Sequence, residues 1–237
     1  MPLPRTAPIG DVPHDVVCRL DPAIPEVVCD FDAVLLAADV GPEPPYHAIS
    51  QSDRENSATY LGALSAWEKV KAEAITQAFL ATEDALTLGT KARDFAQIQT
   101  ETSARAMVLA LMEAARWERY CVSGDIAELG PWVDGEEPTR FTVTQVTEQD
   151  KVHIVGALNA GATQGRTDYE HIYSLNLWLL GRTLRAVTPW PEGWPALVRV
   201  GVCVAPESLA LLPHAWVTDL GTYLIGMAQL RKAEKKV

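Results

Sequence analysis

The longest regular alternation of apolar and polar positions runs from Asp53 to Cys121, an Ala-rich stretch without proline. Tyr60, Leu61, Leu64, Trp67, Ile75, Ala78, Phe79 and Leu86 recur at three-and-four spacing, which places them along one face of an α-helix. Glu68, Lys69, Lys71, Glu73 and Glu83 fall opposite and read as a solvated face. A Glu68/Lys71 pair there adds only about 0.2–0.5 kcal/mol. Leu88-Gly89-Thr90 reads as a helix stop, because glycine enters the left-handed conformation cheaply. A second run repeats the spacing with Phe95, Ile98, Val108, Leu111, Met112 and Ala115. Its many alanines favour close approach, so two long helices are expected to meet as an antiparallel αα-hairpin. Leu64 and Leu111 are expected in its core, where burial of one large side chain is worth roughly 1.5–3 kcal/mol.

The flanking patterns are shorter. Pro2, Pro4, Pro8 and Pro13 predict an extended arm. Val16 to Leu20 and Val27 to Leu36 are rich in β-branched and apolar residues, and are expected to pair as a small β-hairpin across Asp21-Pro22-Ala23-Ile24-Pro25. Gly41-Pro42-Glu43-Pro44-Pro45-Tyr46 reads as a linker, with Ser52 or Asp53 capping the helix that follows. Beyond Cys121, Gly124, Gly130-Pro131 and Gly135-Glu136-Glu137-Pro138 mark a long acidic loop. Phe141 to Val146 alternates as a strand, and Thr147 with Asp150 opens a helix that ends at Gly161. A helix over Asp168 to Val187 is expected next, capped by Thr167 with Glu170, and after the Trp190 to Trp194 turn Val198 to Val204 alternates as a strand suited to pair with Phe141 to Val146. Pro206 starts a short helix, Pro213 interrupts, and a final amphipathic helix runs from Trp216.

Charge narrows the partners. The chain of 237 residues has a formal net charge of −11, and its first 52 residues hold 8 acidic against 2 basic side chains. That balance argues against direct nucleic-acid binding, which draws most of its non-specific affinity from Lys and Arg on phosphate. No apolar run approaches the roughly 20 residues of a membrane span, and the first residues lack a basic-then-apolar leader, so a soluble cytoplasmic protein is expected. Cys18, Cys29, Cys121 and Cys203 are scattered, which points to reduced thiols and not to a disulfide framework or a four-thiolate zinc site. The basic tip Arg231 to Lys236 suits the C-terminus of a helix.

Catalytic patterns are sparse. Asp30-x-Asp32 on a strand would share one face and could meet a hard cation, although acidic alternation on a solvent face is the favoured reading. Gly161 to Thr167 suggests a phosphate cradle, but the strand, the glycine spacing and the Gly-Lys pair are missing, and an interhelical loop is favoured. His14, His47, His153, His171 and His214 are isolated in sequence. His153 and His171 with Glu170 supply the alternative function, a small-molecule enzyme using acid/base catalysis. No cofactor or metal is expected.

Residues 139 to 228 carry a further pattern: a strand, the Thr147-Glu148-Gln149-Asp150 helix start, a Leu/Trp-rich helix, Trp190-Pro191-Glu192-Gly193-Trp194, then Ala205-Pro206-Glu207-Ser208-Leu209 and Leu211-Leu212-Pro213-His214-Ala215-Trp216. This order resembles the tail assembly proteins of tailed bacteriophages, including tail assembly chaperones. The resemblance implies a non-enzymatic virion-assembly or structural role, with tail tube or tape-measure protein as partner, in the host cytoplasm or the virion. From the residues themselves the expectation is a mainly α (α+β) protein in four segments: an acidic arm (1–52), an αα-hairpin scaffold (53–121), an acidic linker (122–138) and a small α+β C-terminal subdomain (139–237). It would work by protein contact, as a homo-oligomer or with other chains, and Trp178, Trp190, Trp194 and Trp216 are the candidate partner-binding residues, since exposed Trp is favoured at binding sites.

Overall fold

The computed structural model describes residues 13–45, 54–163 and 169–234, with side chains except at 54–56, 160–163 and 226–234. It is mainly α with small antiparallel sheets. The chain divides into two compact units, residues 26–128 and residues 3–25 with 129–237.

The first unit contains α1 (Phe31–Ala37), α2 (Arg54–Leu80), α3 (Glu83–Leu88) and α4 (Glu101–Ser123). The hairpin expected over residues 16–36 does not form. Asp30 instead accepts a hydrogen bond from the Ala33 amide at 3.0 Å and caps α1, and Phe31 is buried. The strand alternation that suggested a cation between Asp30 and Asp32 is therefore lost, and Asp32 pairs with Arg105 at 2.8 Å.

Helix α2 stops earlier than its pattern suggests. The Thr82 hydroxyl donates to the Phe79 carbonyl at 2.7 Å and accepts from the Ala85 amide at 3.4 Å, ending one helix and capping the next. Gly89 then closes α3 at φ 64°, the left-handed turn expected of it. A 3-10 turn (Ala92–Phe95) follows, with Phe95 edge-on to Phe79 at 6.1 Å.

The two long helices pack together, but not as an antiparallel hairpin. Glu101, the first residue of α4, donates its amide to Glu68 at 3.0 Å and pairs with Lys71, whereas Arg119 near the far end pairs with Asp84 beyond the end of α2. The helices therefore run in the same direction, and α3 with the 3-10 turn carries the chain back to the middle of α2. Ala72, Ile75, Phe79, Ala104 and Val108 fill the core between them. Leu64 is only half-buried and Leu61 is exposed, because α4 begins opposite Glu68 and leaves the start of α2 outside this core; Leu111 is likewise half-buried, and Leu86 on α3 is exposed. Lys71, expected on the solvated face, is buried against Glu68 and Glu101.

The second unit is built on β2 (Arg140–Val143), the middle strand of an antiparallel sheet in the order β1 (His14–Val17), β2, β3 (Leu184–Thr188). Val16, Phe141 and Val187 stand in register across it. Residues 184–188 continue a helical pattern in sequence, yet they are a strand here, pairing the second edge of β2. Residues 198–204, expected as that partner, fold on themselves as β4 (Arg199–Val200) and β5 (Cys203–Val204). Asp21 fixes the arm to the sheet by accepting from the amides of Ala23 at 2.9 Å and Thr139 at 2.7 Å.

Helices α5 (Glu148–Thr163), α6 (Tyr169–Thr183), α7 (Pro206–Leu209) and α8 (His214–Glu234) complete this unit. Thr147 and Asp150 form the expected capping box, each side chain accepting from the other's backbone amide at 3.0–3.1 Å. Gly161 does not end α5, which continues to Thr163; Thr167, the expected cap of α6, lies outside the described residues. Pro206 occupies the first turn of α7 as expected, and α8 follows Pro213. Phe141, Ile154, Leu179, Leu180, Leu209 and Leu224 lie in one core.

Helices α6 and α8 pack where a Cβ at Gly221 would overlap the side chain of Asn176, itself fully buried and without a hydrogen-bond partner for its amide among the described residues. Gly221→Ala is expected to cost about 1–3 kcal/mol in urea unfolding through overpacking. Moving the glycine across, as Asn176→Gly with Gly221→Ala, is expected to recover at least about 1 kcal/mol of that cost as coupling between touching residues. Additive effects would contradict the contact.

Candidate interaction site

The site grows outward from β2. Phe141 carries no exposed surface, and two tryptophans pack on it: Trp216 of α8 at 5.7 Å and Trp194 at 6.2 Å between ring centroids. Those two meet edge to face at 4.9 Å. Trp190 stands edge-on to Trp194 at 6.0 Å and 90°, so each ring supports the next on the way out to solvent. The turn is closed internally, Trp190 Nε1–H donating to the Trp194 carbonyl at 3.2 Å and the Trp194 amide to that of Pro191 at 3.2 Å. Gly193 turns the chain at φ 79°, where a side chain would be strained.

Trp190 is 41% exposed, whereas Trp194 and Trp216 are partly buried against the core. Trp190, Trp194, Val187, Leu197 and Arg199 line an open groove of about 490 Å³. Beside it, Val198, Val200 and Val202 on the β4–β5 hairpin are 61–72% exposed. Arg199 donates to the Arg185 carbonyl at 2.5 Å, and Arg185 donates to the carbonyls of Arg182 at 2.8 Å and Val202 at 3.3 Å. These bonds aim both guanidiniums without neutralising them.

Trp178, the fourth tryptophan expected to bind partners, lies elsewhere in this unit. His153 stacks on it at 4.1 Å, and the Arg182 guanidinium lies 5.4 Å from its centroid. Arg182 also donates to Asp150 at 2.5 Å. His171 Nε2 is bonded to the Ala157 carbonyl at 3.0 Å, which requires the proton on that nitrogen. Among the described residues no hydrogen bond or ion pair joins His153 or His171 to a carboxylate. His214 instead stacks with Tyr173 at 4.0 Å and bonds the Tyr169 hydroxyl through Nδ1 at 2.9 Å. Cys18 is buried; burial and the nearby Asp219 push its thiol far above the ordinary range, which leaves it a poor nucleophile. No group of three His, Cys, Asp or Glu side chains able to hold a metal is present among the described residues. No helix among them is long and apolar enough to cross a membrane.

Sequence reasoning found the tryptophans of the groove but not Arg185 and Arg199, nor Phe141 as their support. The available signal was Arg199 alternating with Val198 and Val200, a polar position on a strand whose neighbours turn the other way. Comparison with protein-family models, curated proteins and solved structures finds no match.

Burial alone would raise the Asp150 pKa, but the Thr147 bonds and the Arg182 guanidinium outweigh it and hold the carboxyl below its ordinary value. A depressed folded-state value means the ionised form stabilises the fold above the unfolded carboxylate range, and that contribution is lost as pH falls through the folded value. Asp150→Asn is therefore expected to destabilise by about 1.5–3 kcal/mol at neutral pH. Below the ordinary carboxylate range the unfolding free energies of variant and wild type should converge; a gap constant with pH would contradict the assignment.

Proposed function

We propose that the protein acts by contact and not by chemistry, as an interaction or assembly protein whose binding surface is centred on Trp190. The observation that carries the reading is the displayed tryptophan: a large ring held at the surface by Trp194, next to a hairpin that exposes three valines. Rigid aromatic anchors beside apolar surface are what protein interfaces enrich. The setting proposed is assembly of a bacteriophage tail or virion, with tail tube or tape-measure protein as partner, and it rests on the resemblance of residues 139–228 to tail assembly proteins. A host-cytoplasmic or virion location follows from that setting.

The three tryptophans of this cluster separate into two roles under this reading. Trp190 supplies contact, while Trp194 and Trp216 build its base. Trp190→Ala is expected to leave thermal unfolding nearly unchanged and to weaken complex formation by about 2 kcal/mol or more, the loss typical of an interface anchor. Trp194→Ala is expected to cost about 3 kcal/mol of stability, as truncation of a packed aromatic does. Size-exclusion chromatography with light scattering, on the chain mixed with a tail tube or tape-measure protein, reads the first effect, and calorimetry reads the second. Unchanged complex formation by Trp190→Ala would remove this residue from the interface.

A further inference from the structure

We infer that the groove between the Trp190–Trp194 turn and β4 takes an extended, acidic, proline-bearing segment of a partner protein. The inference rests on the reading of the Trp190 surface as a contact site and adds the chemistry of what docks there.

Charge is the first argument. In a chain of net charge −11, the ionisable side chain in the groove wall is Arg199, which donates to the backbone carbonyl of Arg185. Among the described residues both are bonded only to carbonyl oxygens, which orient a guanidinium but leave its charge uncompensated. Glu192, at the tip of the turn, is exposed and forms no ion pair among the described residues. A carboxylate on the incoming segment would meet Arg199 with a charge-assisted bond in the fork geometry arginine favours.

Shape is the second argument. The groove is open, so a compact small molecule would keep much of its surface in water, whereas pockets for such ligands enclose most of it. An extended chain needs only a trough. Trp190, held edge-on by Trp194 and 41% exposed, offers an aromatic surface of the kind on which proline from a polyproline helix packs, and that preformed backbone loses little freedom on binding. Val187 and Leu197 add apolar lining to the same groove as Arg199.

The probe is taken from this chain, whose residues 41–45 read Gly-Pro-Glu-Pro-Pro. Synthetic Gly-Pro-Glu-Pro-Pro is titrated into the full chain by calorimetry, with Gly-Pro-Lys-Pro-Pro and Gly-Ala-Glu-Ala-Ala as controls. Saturable binding of the first is expected, at least about tenfold weaker binding of both controls, and loss of affinity as salt rises. Arg199→Glu should invert the preference between Glu and Lys peptides, and Trp190→Ala should abolish binding while leaving the melting temperature unchanged. Equal affinity for the Glu and Lys peptides, no saturation up to about 1 mM, or a dimer of the chain that Trp190→Ala dissolves would each overturn the inference. Loss of the partner complex in Trp190→Ala without any peptide binding would sink the acidic occupant alone. Peptide binding with an undisturbed partner complex would instead sink the contact reading.

Discussion

Burial of Phe141 beneath Trp194 and Trp216 is the interaction on which the second unit depends. Its strand, β2, lies between partners that the chain supplies from far away on both sides, residues 14–17 and 184–188. Among the described residues neither outer strand has another strand neighbour in that sheet, so the backbone ladder of each runs through β2. The ring of Phe141 then gives α8 and the aromatic turn a common surface to pack against. Because Trp190 stands on Trp194, and Trp194 on Phe141, the geometry of an exposed residue is tied to a fully buried one. Packing of each ring on the next restricts its freedom before contact, which favours binding by lowering the entropy lost.

The first unit solves a different problem. Its two long helices run in the same direction, so their meeting point cannot be closed by a tight turn and instead needs α3, a 3-10 turn and an extended step to bring the chain back. At the place where α4 starts, Lys71 is buried and must be paired; Glu68 and Glu101 supply the charge, and Arg105 links Glu101 to Asp32 on α1. Such a cluster favours one register of the helices over others, since a shifted register would leave a buried charge without its partner. Stability itself comes from Ile75, Phe79, Phe95 and Val108.

Much of this was legible along the chain, and the misreadings have physical causes. Local signals held: Gly89 in its left-handed turn, Thr147 with Asp150 as a capping box, Pro206 opening α7, and the helical period of α4. Long-range pairing was not legible, because nothing near Val16 or Leu184 says that β2 is its partner. The run Val27 to Leu36 is short and apolar, and such runs do not separate strand from helix by period alone; the cap Asp30 before Phe31 was the stronger cue. Helical spacing puts Lys71 among the charged residues opposite the apolar face, whereas its place is set by Glu101, thirty residues on. At the candidate site the tryptophans stood out by density, but which one faces solvent depends on Phe141 and is visible only in three dimensions.

Amide hydrogen exchange of the intact chain tests most directly whether β2 organises the second unit. Amides of residues 140–143 should be among the slowest to exchange, with those of 184–188 next and those of 199–203 fast, and Phe141→Ala should speed the first two groups together. Exchange across 140–143 as fast as in the β4–β5 hairpin, or a Phe141→Ala variant whose 184–188 amides keep their protection, would contradict the account.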